Sequence, residues 1–144
     1  MYNKIISSKT VALLLTLSAC GLAQAQVAVI VNAKSATASM TADQVASIFL
    51  GKSTTLPSGA TAVPVDQAES AAVREQFYTK VTGKQAAQVK AAWSRLVFSG
   101  KGTPPKEIAN SADIKKFVAG NPDGIAYIEK SAVDASVKVV LSVD

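Results

Sequence analysis

The sequence predicts an α/β layered domain, and three observations carry that prediction. Val27-Ala28-Val29-Ile30-Val31 is a continuous, mostly β-branched run of the kind a buried strand shows, and Val137, Val139, Leu141 and Val143 alternate as in a strand near the other end. Between them, apolar residues recur at helical spacing. Glycine and proline punctuate the changes from one period to the other.

The elements follow in order. The first strand ends at Asn32, and the small, polar stretch from Ala33 to Met40 reads as a loop. Thr41-x-x-Gln44 is a capping box, after which Val45, Ile48 and Phe49 mark a helix that ends at Gly51. There the triplet Gly51-Lys52-Ser53 imitates the close of a nucleotide-binding phosphate loop. Such a loop needs a glycine where Ala46 stands, a strand before it and a helix after it. This chain has a helix before the triplet and turn chemistry from Thr54 to Gly59 after it, so the triplet is a helix exit and nucleotide hydrolysis is rejected.

Thr61 to Val65 reads as a short strand. Asp66-x-x-Glu69 reads as a second capping box, opening a helix with Val73, Phe77 and Val81 that stops at Gly83. A third helix carries Val89, Trp93, Leu96 and Val97 on one face and closes at Ser99-Gly100. Pro104-Pro105 keeps the stretch from Lys101 to Glu107 out of a helix. Ser111 reads as the cap of a fourth helix carrying Ile114, Phe117 and Val118, which ends at Gly120-Asn121-Pro122. Gly124 to Ile128 is a strand, and Lys130 to Ala135 one helical turn before the last strand. No linker or repeat divides residues 26–144, which read as one domain.

Residues 1–25 read as an export signal. Lys4 and Lys9 precede the apolar run Val11 to Ala19, and Ala23-Gln24-Ala25 offers a small-x-small cleavage site. Leu17-Ser18-Ala19-Cys20 also has the form of a lipobox, in which Cys20 would be lipidated and would anchor the domain to a membrane. A cut after Ala25 and a cut before Cys20 both export the protein, and a periplasmic location is expected.

Composition excludes several chemistries. The 144 residues include no histidine and one cysteine, so Ser-His-Asp and Cys-His catalysis and zinc sites built on His or Cys pairs are ruled out. No catalytic residue, cofactor or metal is expected. The net charge is +5, of which Lys4 and Lys9 supply two, and the remaining cations are scattered rather than gathered in the stripe a nucleic-acid binder uses.

The junction from Pro64 to Arg74 is the candidate ligand site, because it reads as a strand running into a helix start with free backbone N–H groups. Asp66, Ser70, Ala71, Ala72 and Arg74 are its candidate ligand-binding residues. Arg74 is expected on a helix surface, where its loss costs little stability. Trp93 is expected in the core and Tyr127 with its hydroxyl at the edge; an exposed first strand could pair two copies.

Taken together, Ile48-Phe49-Leu50-Gly51-Lys52, Val63-Pro64-Val65-Asp66 leading to Arg74 and Phe77, Trp93 with Phe98-Ser99-Gly100, and Asn121-Pro122-Asp123-Gly124-Ile125-Ala126-Tyr127 resemble one family. The chain looks like a short, half-length member of the solute-binding proteins of phosphate ABC transporters, from about Val27 to Val140. The resemblance implies a single-lobe type II periplasmic-binding-protein fold, a mixed β-sheet flanked by about four helices, and no enzymatic activity. It implies a small anion, phosphate first, as ligand, and an ABC transporter or other envelope protein as partner. Ser70-Ala71-Ala72 falls at the family's Ser-Gly-Thr phosphate segment, and Asp66 stands where the family has its arginine. The alternative is a ligand-free interaction module of the cell envelope that retains the fold.

Overall fold

The computed structural model describes residues 26–144, so the expected export signal and Cys20 lie outside the described residues. Strands β1 (Val27–Asn32), β2 (Val63–Gln67), β3 (Lys106–Ile108), β4 (Gly124–Glu129) and β5 (Val137–Val143) form one mixed sheet in the order β3-β2-β4-β1-β5. Helices α1 (Ala42–Phe49), α2 (Ala72–Phe77) and α3 (Ala86–Phe98) cover one face, and α4 (Ser111–Ala119) covers the other.

Side-chain alternation along β1 sorts the two cores. Val27, Val29 and Val31 pack under α1 and α2 with Phe49, Phe77 and Tyr127, whereas Ile30 packs with Ile114 and Val118 of α4. β1 pairs antiparallel with both neighbours, β4 and β5, and with helices over both faces all six of its residues are buried. The first strand is therefore buried, as its residues predict, and it has no free edge at which to pair a second copy.

The strict alternation expected of β5 is also broken. Val29 faces Leu141 and Ile30 faces Val139, so Val140 is the extra residue of a bulge, and its carbonyl accepts from the Met40 amide at 2.9 Å. Val137 and Val139 consequently face α4, while Leu141 and Val143 face the opposite core. An inserted residue moves everything beyond it to the other face.

Helix α1 begins and ends as its residues predict. Thr41 Oγ1 accepts from the Gln44 amide, Gln44 returns the bond, and Gly51 takes φ +76° past the exit. Lys52 and Ser53 donate their amides to Ser47 O, closing that exit. Two other helix starts differ from expectation. The cap of α4 is Asn110, one residue earlier than Ser111, and α2 starts at Ala72 with no side-chain cap, so Asp66 and Glu69 cap nothing. Strand β2 runs to Gln67 instead of ending at Val65, and the loop before α4 contains the short β3.

A π-helical turn, Tyr78–Thr82, follows α2 and closes at Gly83, φ +70°. Its wider winding keeps Val81 on the buried side with Val73 and Phe77 and brings Tyr78 inward as well. In α3, Val89 is buried and Trp93 and Leu96 are half-buried, but Val97 is 51% exposed, so the predicted apolar face ends before it does in the sequence.

A candidate ligand cleft beside a buried aspartate–arginine pair

Strands β2, β3 and β4 run parallel, and the carboxyl ends of β2 and β3 open into a cleft of about 460 Å³. Its floor holds Asp66 and Arg74, its mouth Glu69 and Lys90, and α3 walls it with Trp93 and Phe98. Pro104, Pro105 and Glu107 close the side towards β3. Clefts beyond strand carboxyl ends are where open α/β sheets place ligands.

Asp66 is the most heavily bonded side chain there. Its Oδ2 accepts from the Tyr78 hydroxyl at 2.5 Å, and its Oδ1 accepts from the Tyr127 hydroxyl and from the Gln67 amide at 2.9 Å. The tyrosines arrive from distant elements and are held by the aromatic core, in which the Phe77 and Tyr127 rings stack at 3.9 Å and the Phe49 and Phe77 rings meet edge-on at 4.9 Å. Burial pushes both phenol hydroxyls far above their usual range, and the adjacent Asp66 carboxylate pushes the same way. They are donors to a carboxylate at neutral pH.

Arg74 is 8% exposed rather than on the surface as expected. Its Nη1 donates to Gln67 O at 3.0 Å, its Nη2 lies 3.7 Å from Asp66 Oδ2, and Glu107 Oε2 approaches Nη1 at 3.7 Å. Its buried Nε makes no hydrogen bond within the described residues. Gln67 ties this floor to the α4 side, donating from Nε2 to Ser111 Oγ at 3.1 Å and to Tyr127 O at 3.2 Å. At the mouth, Lys90 and Glu69 pair at 2.5 Å, and the Lys90 bond holds the Glu69 carboxyl below its usual range.

Of the five candidate ligand residues, Asp66 and Arg74 line the cleft together, whereas Ser70, Ala71 and Ala72 lie in the turn and first residue of α2 and are not among its lining. Tyr78, Gln67 and Glu107 were missed by sequence reasoning. Tyr78 carried a signal, lying one residue beyond Phe77 in a chain with only three tyrosines, but nothing local marks its partner twelve residues earlier.

Trp93 belongs to the wall as much as to the core. Its Nε1 donates to Phe49 O at 2.8 Å, and a Cβ at Gly51 would meet its ring at 2.8 Å, one at Gly102 at 3.1 Å. The glycine of the Gly51-Lys52-Ser53 triplet therefore makes room for Trp93, and Gly102 lets the proline loop close against the same ring.

Among the described residues, no helix is long and apolar enough to cross a membrane, and no group of His, Cys, Asp and Glu stands ready for a metal ion. The sequence matches no protein-family model and no curated protein. Solved structures do match in fold. A Clostridium perfringens protein assigned to phosphate ABC transport as its substrate-binding protein, solved with phosphate bound, is 26% identical with a TM-score of 0.65, over 81% of this chain and 45% of that one. A phosphate transport receptor of Vibrio cholerae is 18% identical with a TM-score of 0.63, over 81% of this chain and 46% of that one. PstS of Borrelia burgdorferi is 12% identical with a TM-score of 0.59, over 81% and 47% of the two chains. These relatives are named for binding and transport rather than catalysis. The described residues have the mixed α/β fold of the type II periplasmic binding proteins, similar to the phosphate ABC transporter substrate-binding proteins, and span less than half the length of the structures they match.

Proposed function

We propose that this chain is an exported, non-enzymatic solute-binding-like domain that takes a small anion beside Arg74, with phosphate the first ligand to test. The observation that supports this is a buried guanidinium with an unbonded Nε, set in the floor of a cleft at the strand carboxyl ends. The 26%-identical relative solved with phosphate supports the choice of first ligand. An ABC transporter or other envelope protein is the partner such a role requires, and an export signal in residues 1–25, with or without lipidation at Cys20, accounts for the location.

The test is a phosphate titration with sulfate as control at equal ionic strength, followed by thermal melts and by the fluorescence of Trp93, the chain's only tryptophan and part of the cleft wall. Phosphate at a hundred times its dissociation constant adds about 2.7 kcal/mol. A shift of that order for phosphate, lost in Arg74→Lys, upholds the reading with phosphate as ligand, and a flat response to both anions removes phosphate and leaves the anion reading to organic acids.

One observation favours a second reading, a ligand-free interaction module. Phe98 is 95% exposed beside Val97 at the cleft rim, an apolar ledge suited to a protein partner. Phe98→Ser would then abolish crosslinking to envelope proteins without changing the melting midpoint.

A further inference from the structure

We propose that the cleft selects an apolar monocarboxylate, an organic acid with an aliphatic or aromatic body, over an inorganic oxyanion. This rests on the reading that an anion binds beside Arg74, and it names the class of that anion.

Charge is the first argument. The cleft holds three carboxylates, Asp66, Glu69 and Glu107, against two cations, Arg74 and Lys90. Asp66 is fixed by two tyrosine hydroxyls and a backbone amide, so it stays on its side of Arg74. Glu107 is different. Its side chain is 56% exposed, it stands in a three-residue edge strand, and it faces Arg74 Nη1 at 3.7 Å without a hydrogen bond among the described residues. A ligand carboxylate can displace it and leave the charge at the guanidinium unchanged. A phosphate dianion would bring a second negative charge near the buried Asp66 carboxylate, into a cleft that already has a carboxylate in excess. Glu107 thus holds the place of the ligand's headgroup.

Shape is the second argument. Trp93, Val97, Phe98, Pro104 and Pro105 give the cleft an apolar lining. An inorganic ion would leave that lining wet, whereas an aliphatic or aromatic body would cover it, including the 95% exposed Phe98. The volume of about 460 Å³ lies within the roughly 300–1,000 Å³ of small-molecule sites. With the cation deep and the apolar residues outward, the carboxylate enters first and the body lies towards Phe98.

The experiment titrates the protein with acetate, hexanoate, phenylacetate, hexylamine and phosphate at one pH and ionic strength, reading Trp93 fluorescence and melting midpoints. Hexanoate and phenylacetate should bind at least tenfold more tightly than acetate, and hexylamine should not bind. Phe98→Ala should weaken the two larger acids several-fold while leaving acetate unchanged, and Glu107→Gln should tighten all three. Equal affinity for acetate and hexanoate, binding of hexylamine, or no effect of Glu107→Gln overturns the inference. Phosphate binding without hexanoate or phenylacetate binding overturns it but leaves the anion reading standing. No response to any anion overturns both.

Discussion

Two ion pairs line the same cleft and differ in nearly everything but sign. Lys90 and Glu69 meet at 2.5 Å with side chains 58% and 61% exposed, and Arg74 and Asp66 stand 3.7 Å apart with side chains 9% and 7% exposed. Distance alone would rank the first pair as the stronger. Burial reverses the ranking. Water screens the surface pair and both side chains lose rotamer freedom to hold it, whereas the buried pair cannot turn to solvent if one member is removed. The cleft therefore has a floor that the fold depends on and a mouth that can change freely.

The largest predicted effect tests the floor. Arg74→Ala leaves the Asp66 carboxylate buried without its cation and should cost about 3–5 kcal/mol in a denaturant melt. Sequence reasoning, which put Arg74 on a helix surface, expected little cost. The double change Asp66→Leu with Arg74→Met should recover part of the loss, since it removes both charges while keeping volume. A single change that melts like the parent would dissolve the distinction between the two pairs.

Tyr127→Phe removes one donor to Asp66 and should cost about 1.5–3 kcal/mol, as for hydrogen bonds to a charged group. It also has a pH signature. The hydroxyls of Tyr78 and Tyr127 are raised above the usual phenol value of 10.0 by burial and by Asp66, so the folded state holds these protons more tightly than the unfolded state. Their contribution is complete below pH 10 and declines above it, as unfolded tyrosines begin to ionise. A stability profile from pH 7 to 11.5 should be flat in its lower part and fall above about 10, and less steeply in Tyr127→Phe. Equal slopes in parent and variant would remove Tyr127 from the alkaline transition.

Gly51→Ala should cost about 1–3 kcal/mol for placing a side chain at φ +76°, and its methyl would also press the Trp93 ring. A shifted Trp93 emission maximum is the accompanying readout. The smallest effect belongs to the mouth: Lys90→Met should leave the melting midpoint unchanged within error at any salt concentration. A loss that grew at low salt would give the surface pair a structural role after all.

Much of this architecture was legible in the residues. The β-branched run of β1, the Thr41–Gln44 capping box and the glycine stops at Gly51 and Gly83 are local signals, because they depend on side chains within one turn or one strand. The misreadings share a cause. Asp66-x-x-Glu69 satisfies the capping pattern, yet Asp66 was claimed by hydroxyls 12 and 61 positions away, and β2 continued through it. The bulge at Val140 left no mark in an alternating sequence, since it arises from register against β1 and a carbonyl bond to Met40.

The candidate site divides along the same line. That Asp66 and Arg74 lie near a strand end was readable. Their mutual approach, the burial of Arg74, and the wall that Trp93 and the prolines raise against them were not. The sequence by itself determined the helices, their stops, the strand-forming runs and the absence of histidine chemistry, because propensity, capping and composition act within a few residues. Only the tertiary structure decided which charges are buried, which face each β5 residue takes and what surrounds the cleft. Those outcomes depend on contacts between residues far apart in the chain, where low dielectric and close packing set the energies.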